Sequence, residues 1–230
     1  MNKRNTQMIN GFEHVPYHAE NFTIEQMIKR SSEFYEQAQK RRSLRYFSDR
    51  SFPKEIIQNI IKSAGTAPSG ANKQPWTFCI ISNPEIKKEI RIAAEKEEYE
   101  AYNGRMSEEW LKDLRPFGTD WKKPFLEKAP YIIAVFRKIY DVRDHENKSN
   151  NYYVNESIGL ACGILLLAIQ HAGLVALTHT PSPMNFLARI LNRPKNEKPF
   201  LLIPVGFPDA NAYVPNISRK ELDEIYVDYE

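Results

Sequence analysis

The chain has 230 residues, 42% of them hydrophobic and 27% charged, which is enough for one sizeable core and reads as a soluble globular protein. Its 32 basic and 29 acidic residues are interleaved and leave a net charge of +3, so no broad basic face, and no nucleic-acid partner, is expected. The two cysteines, Cys79 and Cys162, lie in the apolar runs FCII and LACGILLL, the setting of buried free thiols in a reducing, cytoplasmic compartment rather than of a disulfide framework or zinc site.

The first segment, MNKRNTQMINGFEHVPYH, lacks the apolar stretch of a secretory signal. Thr23 and Gln26 resemble a capping box, which predicts a helix from Ile24 to about Lys40. Pro53 opens a second helix, PKEIIQNIIKSAG, in which Ile56, Ile57, Ile60 and Ile61 form an apolar stripe and Gly65 is placed at C′. The stretch GTAPSGANKQPW follows from Gly65 to Trp76 and joins that helix to a strand over Trp76 to Ser82. Pro84 starts a long charged helix reaching about Asn103.

Tyr131 to Phe136 is the next strand, and Tyr140 to Asn151 (YDVRDHENKSNN) reads as a polar loop. Tyr152 to Ala172 is predicted as a helix closed by Gly173. Its run IGLACGILLLAI is twelve residues, short of the ~20 that cross a bilayer, so no membrane span is expected. Gly159 and Gly163 on this helix mark a helix-packing face, within the chain or between subunits. Leu174 to Thr178 is a strand, Met184 to Asn192 a short helix and Phe200 to Gly206 the last core strand. Irregular alternation of this kind predicts an α+β fold with helices covering a mixed sheet. The chain is expected to form one domain, with 1–37 as an N-terminal arm and helix and 208–230 as a C-terminal extension.

Three segments carry candidate chemistry. Arg41, Arg42 and Arg45 surround Ser43 in RRSLR, and clustered guanidinium groups match the oxygens of a phosphate, although a solvated basic segment has the same composition. In GTAPSGANKQPW the small residues leave backbone N–H groups open to a ligand, and an ordinary turn would look alike. Thr178-His179-Thr180-Pro181 follows a strand, where hydroxyls can meet a bound ring, as can any threonine at a strand end. On the charged helix, Glu98 and Tyr102 are four apart and so share a face. With Lys123 in TDWKKP they supply an anion, a ring and a cation, which also describes an exposed amphipathic helix with incidental charges.

Taken together, the RRSxR segment, the PSGxxxQPW loop and a late basic residue, Arg219, resemble the nitroreductase superfamily of FMN enzymes. The text from about Phe34 to Val227 is most similar to its iodotyrosine deiodinase branch, through EEYEAYNGRM, TDWKKPFLEKAP, YYVNESIGLACGILLLAIQHAGL and PVGFP. This resemblance implies a nitroreductase-like FMN-binding fold and a homodimer with active sites at its interface. It places cofactor contacts on Arg41, Arg42, Ser43, Arg45, Pro68, Ser69, Thr178, His179, Thr180 and Arg219. Either Thr178 or Thr180 would meet flavin N5, with Thr180 favoured and given a catalytic role.

The backbone amide of Ala71, also given a catalytic role, would meet the substrate phenolate, Glu98 and Lys123 the ammonium and carboxylate of a free amino acid, and Tyr102 its ring. The implied activity is reductive dehalogenation of halogenated tyrosines. A general nitro- or quinone reductase using a nicotinamide donor, and a flavin-binding protein without turnover, are the alternatives. The branch's membrane anchor has no counterpart here, so a soluble form is expected. His14 and His18 are separated by Pro16, which disfavours the helix that would align them as metal ligands, and no metal is expected. GxSxG, Walker and GxGxxG motifs are missing from the sequence, which removes support for hydrolase, P-loop and Rossmann readings.

Overall fold

A computed structural model describes residues 6–143 and 147–230. The chain divides into two compact units, Met1–Lys40 and Arg41–Glu230. In the first, β1 (Gln7–Ile9) and β2 (Phe12–His14) form an antiparallel hairpin. Its turn residues Asn10 and Gly11 both have positive φ, 50° and 82°, the pairing that a two-residue type I′ hairpin turn requires. Helix α1 (Ile24–Gln39) begins at the expected capping box, with Thr23 and Gln26 each accepting from the other's backbone N–H. None of its residues is buried.

The second unit is built on a sheet of four strands in the order β3 (Trp76–Ile81), β4 (Tyr131–Lys138), β8 (Glu197–Gly206) and β7 (Val175–Ala176). The pairings between these strands are antiparallel. The sheet is mixed through a parallel bridge from Ser43 to Ala176 at its edge. Strand β4 is buried on both faces, so its alternate side chains enter different cores. Tyr131, Ile133 and Val135 pack with helices α2 (Lys54–Ala64) and α6 (Val154–His171). Ile132, Ala134 and Phe136 pack with α3 (Pro84–Glu100), α5 (Phe125–Lys128) and α7 (Asn185–Ile190).

Several local expectations change. The polar stretch from Tyr140 is a ribbon rather than a loop, with β5 (Tyr140–Arg143) antiparallel to β6 (Asn147–Asn150); residues 144–146 of it lie outside the described residues. Ladder hydrogen bonds form it without an apolar face, so no alternation marks it in sequence. The long charged helix leaves α geometry at Glu100, and Ala101–Arg105 form a π-helical turn. Helix α6 begins at Val154, is 18 residues long and is apolar enough to span a membrane by length and composition alone. Here its Ile158, Cys162, Leu165 and Ile169 sit in the core. A Cβ added at Gly159 or Gly163 would meet nothing within 4 Å, so these glycines do not pack a helix within the chain. Gly65 is the C-cap of α2 at φ −66°, right-handed rather than the left-handed C′ position expected.

Candidate functional site

The arginine segment is held by strand-like pairing. Leu44 N–H donates to the Ala176 carbonyl at 3.1 Å, and Leu44 and Phe47 are buried. Arg41, Arg42 and Arg45 are thereby left half-buried beside the edge of the sheet. Together with Ser43, Thr178, Pro215, Ile217, Ser218 and Arg219 they line a cavity of about 310 Å³. Arg219 donates to the Arg41 carbonyl at 2.8 Å and Arg42 to that of Pro215, which folds the C-terminal extension over this cavity. Burial, then repulsion from Arg219 and Arg42, lowers the Arg41 pKa. A bound anion would offset that repulsion at Arg41.

Beyond β7 the chain continues along β8. His179 N–H donates to the Leu202 carbonyl at 2.9 Å and Leu202 N–H to that of His179 at 3.0 Å. The period of two then separates Leu177 and His179, which are buried, from Thr178 and Thr180, which are open. All four line a second cavity of about 530 Å³, with Arg45, Glu98, Tyr102, Lys123, Arg105, Trp110, Leu114 and Thr119 among its other walls. Arg45, Leu177 and Thr178 belong to both cavities, so the two spaces meet there. The His179 ring stands edge-on to Phe125 at 5.6 Å, and its buried Nε2 has no hydrogen-bond partner among the described residues.

Glu98 and Lys123 are both buried, at 9% and 3% exposure, and pair with each other at 3.1 Å. Sequence reading assigned them to opposite ends of a ligand. Two buried opposite charges without one compensate each other, because either alone would carry an unrelieved desolvation cost. Lys123 also donates to the Asp120 carbonyl, and its ammonium is 5.5 Å from the centre of the Tyr102 ring. Tyr102 lies in the π-helical turn and donates to the Thr119 carbonyl at 3.4 Å. Burial raises its pKa, which keeps it a neutral phenol.

The remaining predicted residues lie elsewhere. Pro68, Ser69 and Ala71 line neither cavity. Their loop is ordered, and its left-handed residues are Ala71, Asn72 and Gln74, at φ 48°, 51° and 48°, rather than its glycines. Gly70 permits close packing: a Cβ there would stand 3.0 Å from the Tyr152 carbonyl oxygen and from the Tyr153 ring. Ser69 caps the loop by accepting from Gln74 N–H at 2.9 Å. Hydrogen bonds within the loop also take up the amides of Asn72, Lys73 and Trp76. That of Ala71 has no partner among the described residues.

Sequence reasoning passed over Arg105, Trp110, Leu114 and Thr119. Trp110 and Leu114 sit four apart on α4 (Glu108–Leu114), whose N-cap Ser107 accepts from Trp110 N–H at 3.2 Å. The SEEW text and that spacing were the available signal.

Comparison with known proteins places this geometry. The nitroreductase family matches residues 38–207. Iodotyrosine deiodinase of Haliscomenobacter hydrossis is 60% identical over 94% of this chain and 97% of its own. Iodotyrosine deiodinase 1 of Homo sapiens is 44% identical over 94% of this chain and 75% of its own. A crystal structure of oxidized iodotyrosine deiodinase bound to FMN and 3-iodo-L-tyrosine superposes with a TM-score of 0.73 at 33% identity, covering 86% of this chain and 98% of that one. The chain therefore belongs to the nitroreductase family, in the iodotyrosine deiodinase branch.

Proposed function

We propose that this chain is an FMN-dependent reductive dehalogenase that converts halogenated tyrosines to tyrosine and halide. The observation that carries the reading is the buried Glu98–Lys123 pair in a cavity that meets the arginine-lined cavity at Thr178. The smaller cavity suits the cofactor: Arg41, Arg42, Arg45 and Arg219 would hold its phosphate with Ser43, and that anion would relieve the repulsion of Arg41 by Arg219 and Arg42. Reduced FMN held there would supply the two electrons that, with one proton, convert a carbon–halogen bond to a carbon–hydrogen bond and halide.

The residues of the chain bind, orient and dry the substrate. A free amino acid carries an ammonium and a carboxylate, and it can enter the Glu98–Lys123 pair by placing the first on Glu98 and the second on Lys123. Each charge then keeps an opposite neighbour. Tyr102 covers the aromatic ring and excludes water, which strengthens these contacts. The unused amide of Ala71 donates to the phenolate, and the Thr180 hydroxyl, open to the larger cavity, would meet the edge of a cofactor that extends into it past Thr178.

Pro68, Ser69 and Ala71 line neither cavity of their own chain, which supports a homodimer in which each loop completes the site of its partner. The open surfaces at Gly159, Gly163 and the exposed Leu160 of α6 fit the same arrangement. We place the protein in the cytoplasm, acting on a small molecule without a membrane or nucleic-acid partner; the free thiols of Cys79 and Cys162 are consistent with that.

Glu98→Gln tests the clamp. It leaves the Lys123 ammonium buried without its anion and should weaken 3-iodotyrosine binding by about a hundredfold while FMN affinity changes by less than about threefold. Equal losses for both ligands, measured by titration, would contradict the assignment.

A further inference from the structure

We infer that Glu95 is a positioning residue that sets where Lys123 meets the substrate; this rests on the reading of Lys123 as the carboxylate-binding cation. Glu95 lies one turn before Glu98 on α3 and touches neither the cofactor cavity nor the wall of the larger one. Its Oε1 accepts the backbone N–H of Lys123 at 2.7 Å. Arg91, four residues earlier, donates to both Glu95 oxygens at 3.3 Å and to Glu127 of α5 at 2.5 Å. Lys87, a further turn back, donates to the Glu127 and Ala129 carbonyls at 2.8 Å. One face of α3 thus grips the segment that carries Lys123 at successive turns.

The reason for such a grip follows from the chemistry of the clamp. A lysine ammonium sits on a flexible four-carbon stem, and in the ligand-free pair Glu98 itself aims it. When a zwitterion enters, Glu98 turns to the ammonium of the substrate and its direct hold on Lys123 weakens. The charge-assisted hydrogen bond from Lys123 N–H to Glu95 does not change in that exchange. Since Glu95 and Glu98 are three residues apart on the same helix, one rigid element fixes both the anion of the clamp and the root of its cation.

The test uses the FMN-loaded protein. Glu95→Ala should weaken 3-iodotyrosine binding, read from the visible spectrum of the bound flavin, by about tenfold to a hundredfold, as expected for loss of one charged hydrogen bond. Glu95→Gln keeps a carbonyl oxygen for the Lys123 amide and should stay within about threefold of the unmodified protein, because the amide bond survives. Hydrogen exchange at residues 119–125 should accelerate in Glu95→Ala and not in Glu95→Gln, with FMN affinity preserved in both.

Unchanged binding in Glu95→Ala, or equal impairment in the two variants, overturns the proposal. If Glu95→Ala fails to retain FMN, Glu95→Asp carries the same prediction, since its carboxylate stops one methylene short of the amide. Failure of the unmodified protein to bind 3-iodotyrosine would instead overturn the functional reading on which the proposal rests.

Discussion

His179 shows how a single side chain in the cavity wall ties stability to acidity. Burial, then the positive charges of Lys123 and Arg45, lower its pKa from 6.5 to about 3. The native protein keeps this ring neutral where the unfolded chain protonates it. Its contribution to stability is therefore complete above pH 6.5 and drains away as the pH falls towards 3, at up to about 1.4 kcal/mol per pH unit. His179→Phe keeps the edge-on packing against Phe125 and removes the titration. Urea unfolding across this range should show a flatter acid limb in the variant, and identical limbs would contradict the assignment. The paired backbone at Leu202 explains why His179 belongs in the wall: its amide and carbonyl are already used by the sheet.

At the scale of elements, the end of β8 is set by the close approach of Pro130. A Cβ at Gly206 would stand 2.6 Å from Pro130 Cδ and 3.4 Å from Phe47 Cδ1, and the ring has no rotamer into which it can retreat. Gly206→Ala should cost about 1–3 kcal/mol by overpacking. A loss below about 0.5 kcal/mol, the scale of an uncrowded surface change, would show that the contact yields freely. Elements with an apolar rhythm were legible in sequence: α2 through its isoleucine stripe, β4 through YIIAVF, α1 through the Thr23–Gln26 box. The β5–β6 ribbon was not, since Val142 and the two tyrosine-flanked ends give it no alternation.

The site was legible to a similar degree. Glu98 and Tyr102 were recognisable as neighbours because four residues on a helix share a face, and the π-helical turn preserves their common cavity. Resemblance supplied Lys123, 25 residues away, as the other end of a ligand clamp, while its direct ion pair with Glu98 emerged only in the structure. Glu95 could not be distinguished among the many carboxylates of α3, because its role depends on a backbone amide in a distant loop. The left-handed conformations at Ala71, Asn72 and Gln74 were equally hidden, as none of these residue types demands positive φ.

At the scale of the whole molecule, the proposed homodimer with shared sites can be tested by mixing two variants. The Ala71 loop and the Glu98–Lys123 cavity belong to one chain, yet the loop lines neither cavity of that chain. Ala71→Pro removes the amide and excludes the left-handed backbone, while Lys123→Met removes the cation from the clamp. Each variant alone should be inactive. Unfolded and refolded together, they should recover about a quarter of the original activity, because half of randomly assembled dimers pair unlike chains and each of those has one intact site. No recovery from well-folded mixed dimers would place each site within a single chain.

The most direct test of the central claim is an anaerobic titration of the reduced, FMN-loaded protein with 3-iodotyrosine, following flavin oxidation and iodide release together. The account predicts that the yellow oxidised spectrum returns as iodide and tyrosine appear in equal amounts, one of each per flavin. A flavin that stays bleached, or one that reoxidises without iodide, would contradict it.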